Sequence, residues 1–106
     1  MGIDEQTLKE IVRRVLTVAN PDKIILFGSA ATDRMSRDSD IDLLIVEPDT
    51  SNQRSQYVRV RRALWGIDRP FDIVFISRRW FEQSKNAVGG IAHPANKYGR
   101  VIYEAA

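Results

Sequence analysis

Three aspartates are the residues of this chain whose type and spacing could do chemistry together. Asp40 and Asp42 flank the start of an apolar run, IDLLIV, and Asp72 is the one charged residue in a later apolar run over residues 71–76. Successive side chains of a strand point to opposite faces, so Asp40 and Asp42 share a face. If the two strands are neighbours, Asp72 converges with them, and the three carboxylates repel one another unless a cation lies between them. The pattern predicts a site for Mg²⁺, which prefers oxygen ligands.

Asp68 is a rival for the third carboxylate, because it has the same strand parity as Asp72. It precedes Pro70, however, in a segment that should still be a turn and not yet a paired strand. We therefore expect Asp72, and not Asp68, to approach Asp42.

Gly28 and Ser29 follow the first apolar run, KIILF, and form the second candidate site. Glycine allows a close backbone approach, and a serine hydroxyl and N–H can bind an anion. The pair therefore predicts a phosphate-binding turn. It is not a P-loop, because the chain contains no GxxxxGK[ST] pattern, and no GxGxxG follows the strand.

The hydrophobic periodicity shows which elements must position these residues. It predicts helices over 4–19, 52–65 and 78–87, strands over 23–27, 71–76 and 100–103, and a strand between Asp40 and Pro48. Residues 30–37 read as a loop or one or two helical turns. This order predicts an α/β (α+β) fold, a small mixed β-sheet packed against helices, with the strand over 23–27 near its centre.

Length and composition exclude several classes of protein. The chain has 106 residues, of which 43% are hydrophobic and 28% charged, which predicts a single folded domain over 1–106. Cysteine is absent, so disulfides, zinc–thiolate centres and thiol nucleophiles are excluded. No segment reads as membrane-spanning or as a signal peptide, and we expect a cytoplasmic protein.

The order of these motifs resembles the nucleotidyltransferase superfamily that includes DNA polymerase beta, most closely its single-domain members, the minimal nucleotidyltransferases. The resemblance covers the chain from Lys23 through Asp72, and the ending VGGIAHPANKYGRVIYE is also similar to that of the family. It implies that Gly28 and Ser29 bind nucleotide phosphates and that Asp40, Asp42 and Asp72 hold Mg²⁺. It also implies that Asp72 helps to deprotonate an acceptor hydroxyl.

The resemblance further implies a partner. Minimal nucleotidyltransferases commonly act as antitoxins of HEPN-domain ribonuclease toxins, and some transfer AMP from ATP to a toxin tyrosine. Active members often have arginine and then glycine where this chain has Thr32 and Asp33. The alternative is therefore an inactive antitoxin that neutralises its partner by occlusion. A small RNA-binding domain is the weakest hypothesis, because an acidic site without metal repels phosphates. The oligomeric state stays open.

The remaining conspicuous residues have ordinary interpretations. In the helix over 52–65, apolar side chains are expected to point inward (Tyr57, Val58, Val60, Ala63 and Leu64), and basic ones outward (Arg54, Arg59, Arg61 and Arg62). Trp65 and Trp80 are expected to be core or partner-facing anchors. His93, the one histidine, has no recognisable nucleophile beside it and is not expected to be catalytic.

Overall fold

A computed structural model describes residues 3–28, 40–49, 51–87, 90, 92, 95, 97 and 99–106. The elements are α1 (Glu5–Leu16), β1 (Lys23–Phe27), β2 (Ile41–Glu47), α2 (Gln53–Ala63), β3 (Phe71–Ser77), α3 (Arg78–Ser84) and β4 (Arg100–Glu104). The predictions for Ser29, for the segment over 30–37 with Thr32 and Asp33, and for His93 lie outside the described residues. Every other predicted helix and strand is present, with the helices shorter than predicted.

The four strands form one mixed sheet in the order β3-β2-β1-β4. β1 pairs antiparallel with both β2 and β4, whereas β2 and β3 run parallel. Ile24, Ile25 and Leu26 are almost completely buried, which confirms the central position predicted for β1. The α+β fold predicted from the order of elements is therefore confirmed.

The two faces of the sheet are covered differently. Side chains of α1 and α2, among them Ile11 and Val60, pack on the face that includes Leu43. We call it the helical face. On the other side, Phe81 of α3 packs in a cluster with Leu44, and we call this the α3 face. Because strand side chains alternate, the even-numbered residues of β2 point to the α3 face.

The helices follow local rules at their ends. Asp4 caps α1 by accepting a hydrogen bond of 2.7 Å from the Thr7 N–H, and the acid Glu5 lies in the first turn, as the helix dipole favours. α1 ends at Leu16 and not at Ala19. Among the described residues, no helix is long and apolar enough to cross a membrane.

The prediction for the inward face of α2 is partly wrong. Val60 and Leu64 are buried, but Tyr57 is 40% and Val58 43% exposed. Val58 and Val60 are about 200° apart around a helix, so they cannot both face the core. Trp65 is 85% exposed and Trp80 62%, so neither is a core residue. The arginines Arg54, Arg59, Arg61 and Arg62 are all exposed, as predicted.

Candidate active site

The parallel pairing of β2 and β3 brings two of the predicted carboxylates side by side. Asp42 is the register partner of Asp72, and both belong to the α3 face. Asp40 lies one residue before β2, where the Ile41 N–H donates to the Pro70 carbonyl at 2.8 Å and fixes the start of the strand. Asp40 and Asp72 are exposed, whereas Asp42 is partly buried. The expected adjacency of the strands that carry Asp42 and Asp72 is therefore confirmed.

Gly28 closes the site from the side of β1. The last residue of β1, Phe27, pairs with Asp42, and Gly28 follows with a left-handed φ of +67°. A Cβ at Gly28 would lie 3.2 Å from the Asp42 Cγ and closer still to its Oδ2. Glycine is therefore required twice, once for the backbone conformation and once for the space that the carboxylate occupies.

The electrostatics of the site confirm that its carboxylates influence one another. Partial burial, and then the negative charges of Asp72 and Asp40, raise the pKa of Asp42 above its usual range. In the described part of the chain, no hydrogen-bond donor or cationic side chain compensates any of the three aspartates. A cation bound beside Asp42 would reverse this effect, because opposite charges favour the ionised carboxylate.

The donor chemistry of the described part of the site suits Mg²⁺, since Asp40, Asp42 and Asp72 offer carboxylate oxygens. Within the described residues, no group of three or more metal-binding side chains is already arranged to hold an ion. Mg²⁺ is commonly bound by one or two carboxylates together with water and substrate phosphates, so a site completed by the nucleotide fits these residues. The complete ligand set of Asp40, Asp42 and Asp72 stays a prediction.

Asp68 takes no part in this arrangement. It lines a groove on the helical face together with Arg61, Trp65 and Phe71. It is also not among the charges that raise the pKa of Asp42. The register thus supports the choice of Asp72 over Asp68 as the neighbour of Asp42.

A second acidic group, which the sequence reading missed, lies at the far end of β2. Glu47 is only 4% exposed, and its Oε1 has no hydrogen-bond partner in the described structure. Burial, and then the charges of Asp22 and Asp49, raise its pKa. Its position as the last residue of an apolar strand, with the parity of the buried Leu43 and Ile45, was the available signal.

A mixed sheet that presents adjacent aspartates on parallel strands, beside a glycine turn, defines an α+β domain with an acidic centre. Residues 5–93 match the family model described as the nucleotidyltransferase domain. The chain therefore belongs to the nucleotidyltransferase domain family, which agrees with its resemblance to nucleotidyltransferases. No curated protein matches the sequence significantly.

Solved structures share the fold over almost the whole chain. A toxin–antitoxin crystal structure with AMP-PNP aligns with a TM-score of 0.70 at 17% identity, covering 92% of this chain and 73% of that one. A mutant of the toxin–antitoxin MntA–HpeT aligns with a TM-score of 0.62 at 16% identity, over 97% and 75% of the two chains. A candidate nucleotidyltransferase from Sulfolobus solfataricus aligns with a TM-score of 0.57 at 22% identity, over 92% and 78%.

Proposed function

We propose that this protein is an Mg²⁺-dependent nucleotidyltransferase that moves AMP from ATP to a hydroxyl of a protein partner. The acceptor we favour is a tyrosine of a HEPN-type toxin, for which the chain would be the antitoxin. The observation that carries the proposal is the register of Asp42 with Asp72 directly beside Gly28. This places two carboxylates next to a backbone turn that only glycine can form without displacing Asp42.

Each residue has a distinct task in this proposal. Gly28, with Ser29 after it, binds the phosphates of the nucleotide, while Asp40, Asp42 and Asp72 hold Mg²⁺. When bound by these carboxylates, Mg²⁺ would supply positive charge that polarises the phosphate under attack and offsets the charge of the leaving pyrophosphate. Asp72 is exposed, so it can accept the proton of the acceptor hydroxyl as the new O–P bond forms and pyrophosphate leaves.

The comparisons support a nucleotide and a toxin as the two ligands to test first. One similar structure is a toxin–antitoxin with AMP-PNP, and another is the toxin–antitoxin MntA–HpeT. Both share the fold of this chain at low identity, so ATP and a toxin remain our proposal for this protein.

The test is transfer of label from α-labelled ATP to a protein that co-purifies from the native source. We expect wild type to label that partner in the presence of Mg²⁺ and mass spectrometry to find AMP on a tyrosine. Asp42→Asn should abolish labelling, whereas Asp49→Asn, which changes an exposed carboxylate at the other end of β2, should not.

Other outcomes would redirect the proposal. A stable complex that never acquires AMP, even with ATP and Mg²⁺, would favour neutralisation by occlusion. Label found in RNA would replace the protein acceptor by a nucleic-acid hydroxyl.

A further inference from the structure

Helix α2 carries an uncompensated positive charge. Its residues Gln53–Ala63 include four arginines and no acid, whereas in α1 both Arg13 and Arg14 pair with Glu10 at 2.6 and 2.7 Å. In the described part of the chain, Arg54, Arg59 and Arg62 make no ion pair. Arg61 donates to the Phe71 carbonyl and lies over the Tyr57 ring.

Apolar side chains lie among these charges. Val58 is 43% exposed, and Trp65, just beyond the end of α2, is 85% exposed. Arg54, Val58, Arg61 and Trp65 follow one another at three- or four-residue spacing, so they form one stripe along the helix. We call the exposed residues Arg54, Val58, Arg59, Arg61, Arg62 and Trp65 the α2 surface.

The α2 surface borders a groove with an apolar floor and a basic rim. The groove has a volume of about 870 Å³, and its lining includes Ile67, Pro70 and Ile73 besides Arg61, Arg62 and Trp65. A solvent-exposed tryptophan beside arginines is typical of the few residues that dominate protein–protein affinity. Unpaired guanidinium groups complement carboxylates, which they bind in a bidentate manner.

Asp68 and the apolar lining of the groove favour a protein over RNA as its occupant. Its exposed carboxylate lines the same groove, where it would repel a phosphate backbone but could pair with a lysine or arginine of a protein. The aliphatic floor likewise suits an apolar side chain. We propose that the α2 surface is the docking site for an acidic face of the protein partner, which inserts an apolar side chain beside Trp65.

This inference rests on the proposed function only in taking the partner to be the acceptor. The α2 surface belongs to the helical face, whereas Asp42 and Asp72 belong to the α3 face, so docking and transfer use different sides of the sheet. Variants of the α2 surface should therefore raise the Kd and KM for the partner and leave kcat at saturating partner unchanged. Asp42→Asn should instead leave the Kd for the partner unchanged and abolish turnover.

Two probes test the surface: poly-L-glutamate, which offers carboxylates alone, and the partner that co-purifies with wild type. We expect Arg62→Glu to weaken binding of both probes by at least about 10-fold, as expected for a residue that dominates an interface. Trp65→Ala should weaken binding of the partner by a similar factor and that of poly-L-glutamate much less. Because the contacts are exposed ion pairs, added salt should raise both dissociation constants.

Matched controls come from α3, where Arg79 and Trp80 are also exposed. Arg79→Glu and Trp80→Ala should bind both probes within about 2-fold of wild type, and Arg62→Lys, which keeps the charge but loses the bidentate geometry, should weaken binding less than Arg62→Glu does. The proposal is overturned if the α3 variants weaken binding as much as the α2 variants, or if wild type binds no protein partner. It is also overturned if single-stranded RNA binds instead and Arg62→Glu abolishes that binding. A complex that depends on the α2 surface but transfers no AMP would contradict the proposed function and still support the docking site.

Discussion

Strand β2 carries a carboxylate near each end. Among the described residues, the acidic groups at one end have hydrogen-bond donors as partners, and those at the other end do not. At one end Asp42 faces Asp72 and Asp40, and no described side chain offsets their charge. At the other end Glu47 lies near Asp22 and Asp49. There, however, Arg78 binds Asp22, with Nη2 at 2.8 Å from Oδ1, and Ser51 donates to Asp49 at 2.9 and 3.0 Å.

The difference shows that a raised pKa does not by itself identify a functional site. Burial is the largest cause of the raised pKa for both Asp42 and Glu47. In the described part of the chain, no donor compensates the crowded charges at Asp42, which lie beside the Gly28 turn. The proposed Mg²⁺ site therefore concerns the Asp42 end, whereas at the other end the protein itself supplies donors to the acidic neighbours of Glu47.

The largest expected effect is a difference in AMP transfer between variants at the two ends of β2. Asp42→Asn should reduce AMP transfer at least about 100-fold, since even residues that support metal ligands indirectly cost about 10- to 100-fold. Asp49→Asn should transfer AMP at the wild-type rate. The labelling assay measures both, and equal rates for the two variants would remove the distinction between the ends.

The second prediction concerns ligand-induced stability. Mg²⁺–ATP at a hundred times its Kd should raise the free energy of unfolding of wild type by ~2.7 kcal/mol. Glu47→Gln should retain this gain, and Asp42→Asn should lose it. Thermal melts with and without Mg²⁺–ATP measure the difference, and a full gain in Asp42→Asn would contradict a site at this carboxylate.

The third prediction concerns pH without metal. Asp42 and Glu47 have folded-state pKa values above their ordinary values of 3.8 and 4.5. Each therefore contributes most to stability below its ordinary pKa, and that contribution is lost as pH rises through the raised one. Asp42→Asn and Glu47→Gln should each remove part of the decrease in the free energy of unfolding with rising pH. Each should also raise the Tm at neutral pH by a few degrees.

Added Mg²⁺–ATP sharpens the pH experiment. It should remove the part of the decline that belongs to Asp42 and leave the part that belongs to Glu47, since only Asp42 gains a cation. Denaturant unfolding at several pH values provides the curves. If Mg²⁺–ATP removed the contributions of both Asp42 and Glu47 to the pH dependence, the two ends of β2 would not be independent.

The smallest expected effect tests the compensation at the Glu47 end. The Arg78 side chain is 60% exposed, so Arg78→Ala should lower the free energy of unfolding only slightly. The bond from Arg78 lowers the pKa of Asp22 below 3.8, so the loss should be full above that pH and shrink as pH falls. Arg79→Ala is the control, and an equal loss in both variants would argue against the ion pair.

Much of the fold could be predicted from the sequence, because its signals are local. The shared face of Asp40 and Asp42 depends only on strand alternation. For the cap of α1 the sequence offers both Asp4 and Thr7, and in the structure Asp4 is the cap. The ends of the elements were predicted less accurately, and α1 stops three residues before Ala19. Helix ends depend on the packing of the next segment as well as on propensity.

For α2, the outward side was predicted better than the buried side. The four arginines are outward, as periodicity indicates, but Tyr57 and Val58 are outward too. A hydrophobic residue on a helix becomes buried only where another element covers it, and the sheet covers the side with Val60 and Leu64. Which side that is depends on the direction in which α2 crosses the sheet, and no local pattern contains that information.

The sequence by itself determined the elements, the parity of Asp40 and Asp42, and the presence of one aspartate in an otherwise apolar strand. Only the tertiary structure decided that β3 lies parallel beside β2, which makes Asp42 and Asp72 register partners, and that Gly28 abuts the Asp42 carboxylate. It also decided the burial of Glu47. The physical reason is that pairing between strands is set by the whole core, whereas alternation and capping are set by neighbours along the chain.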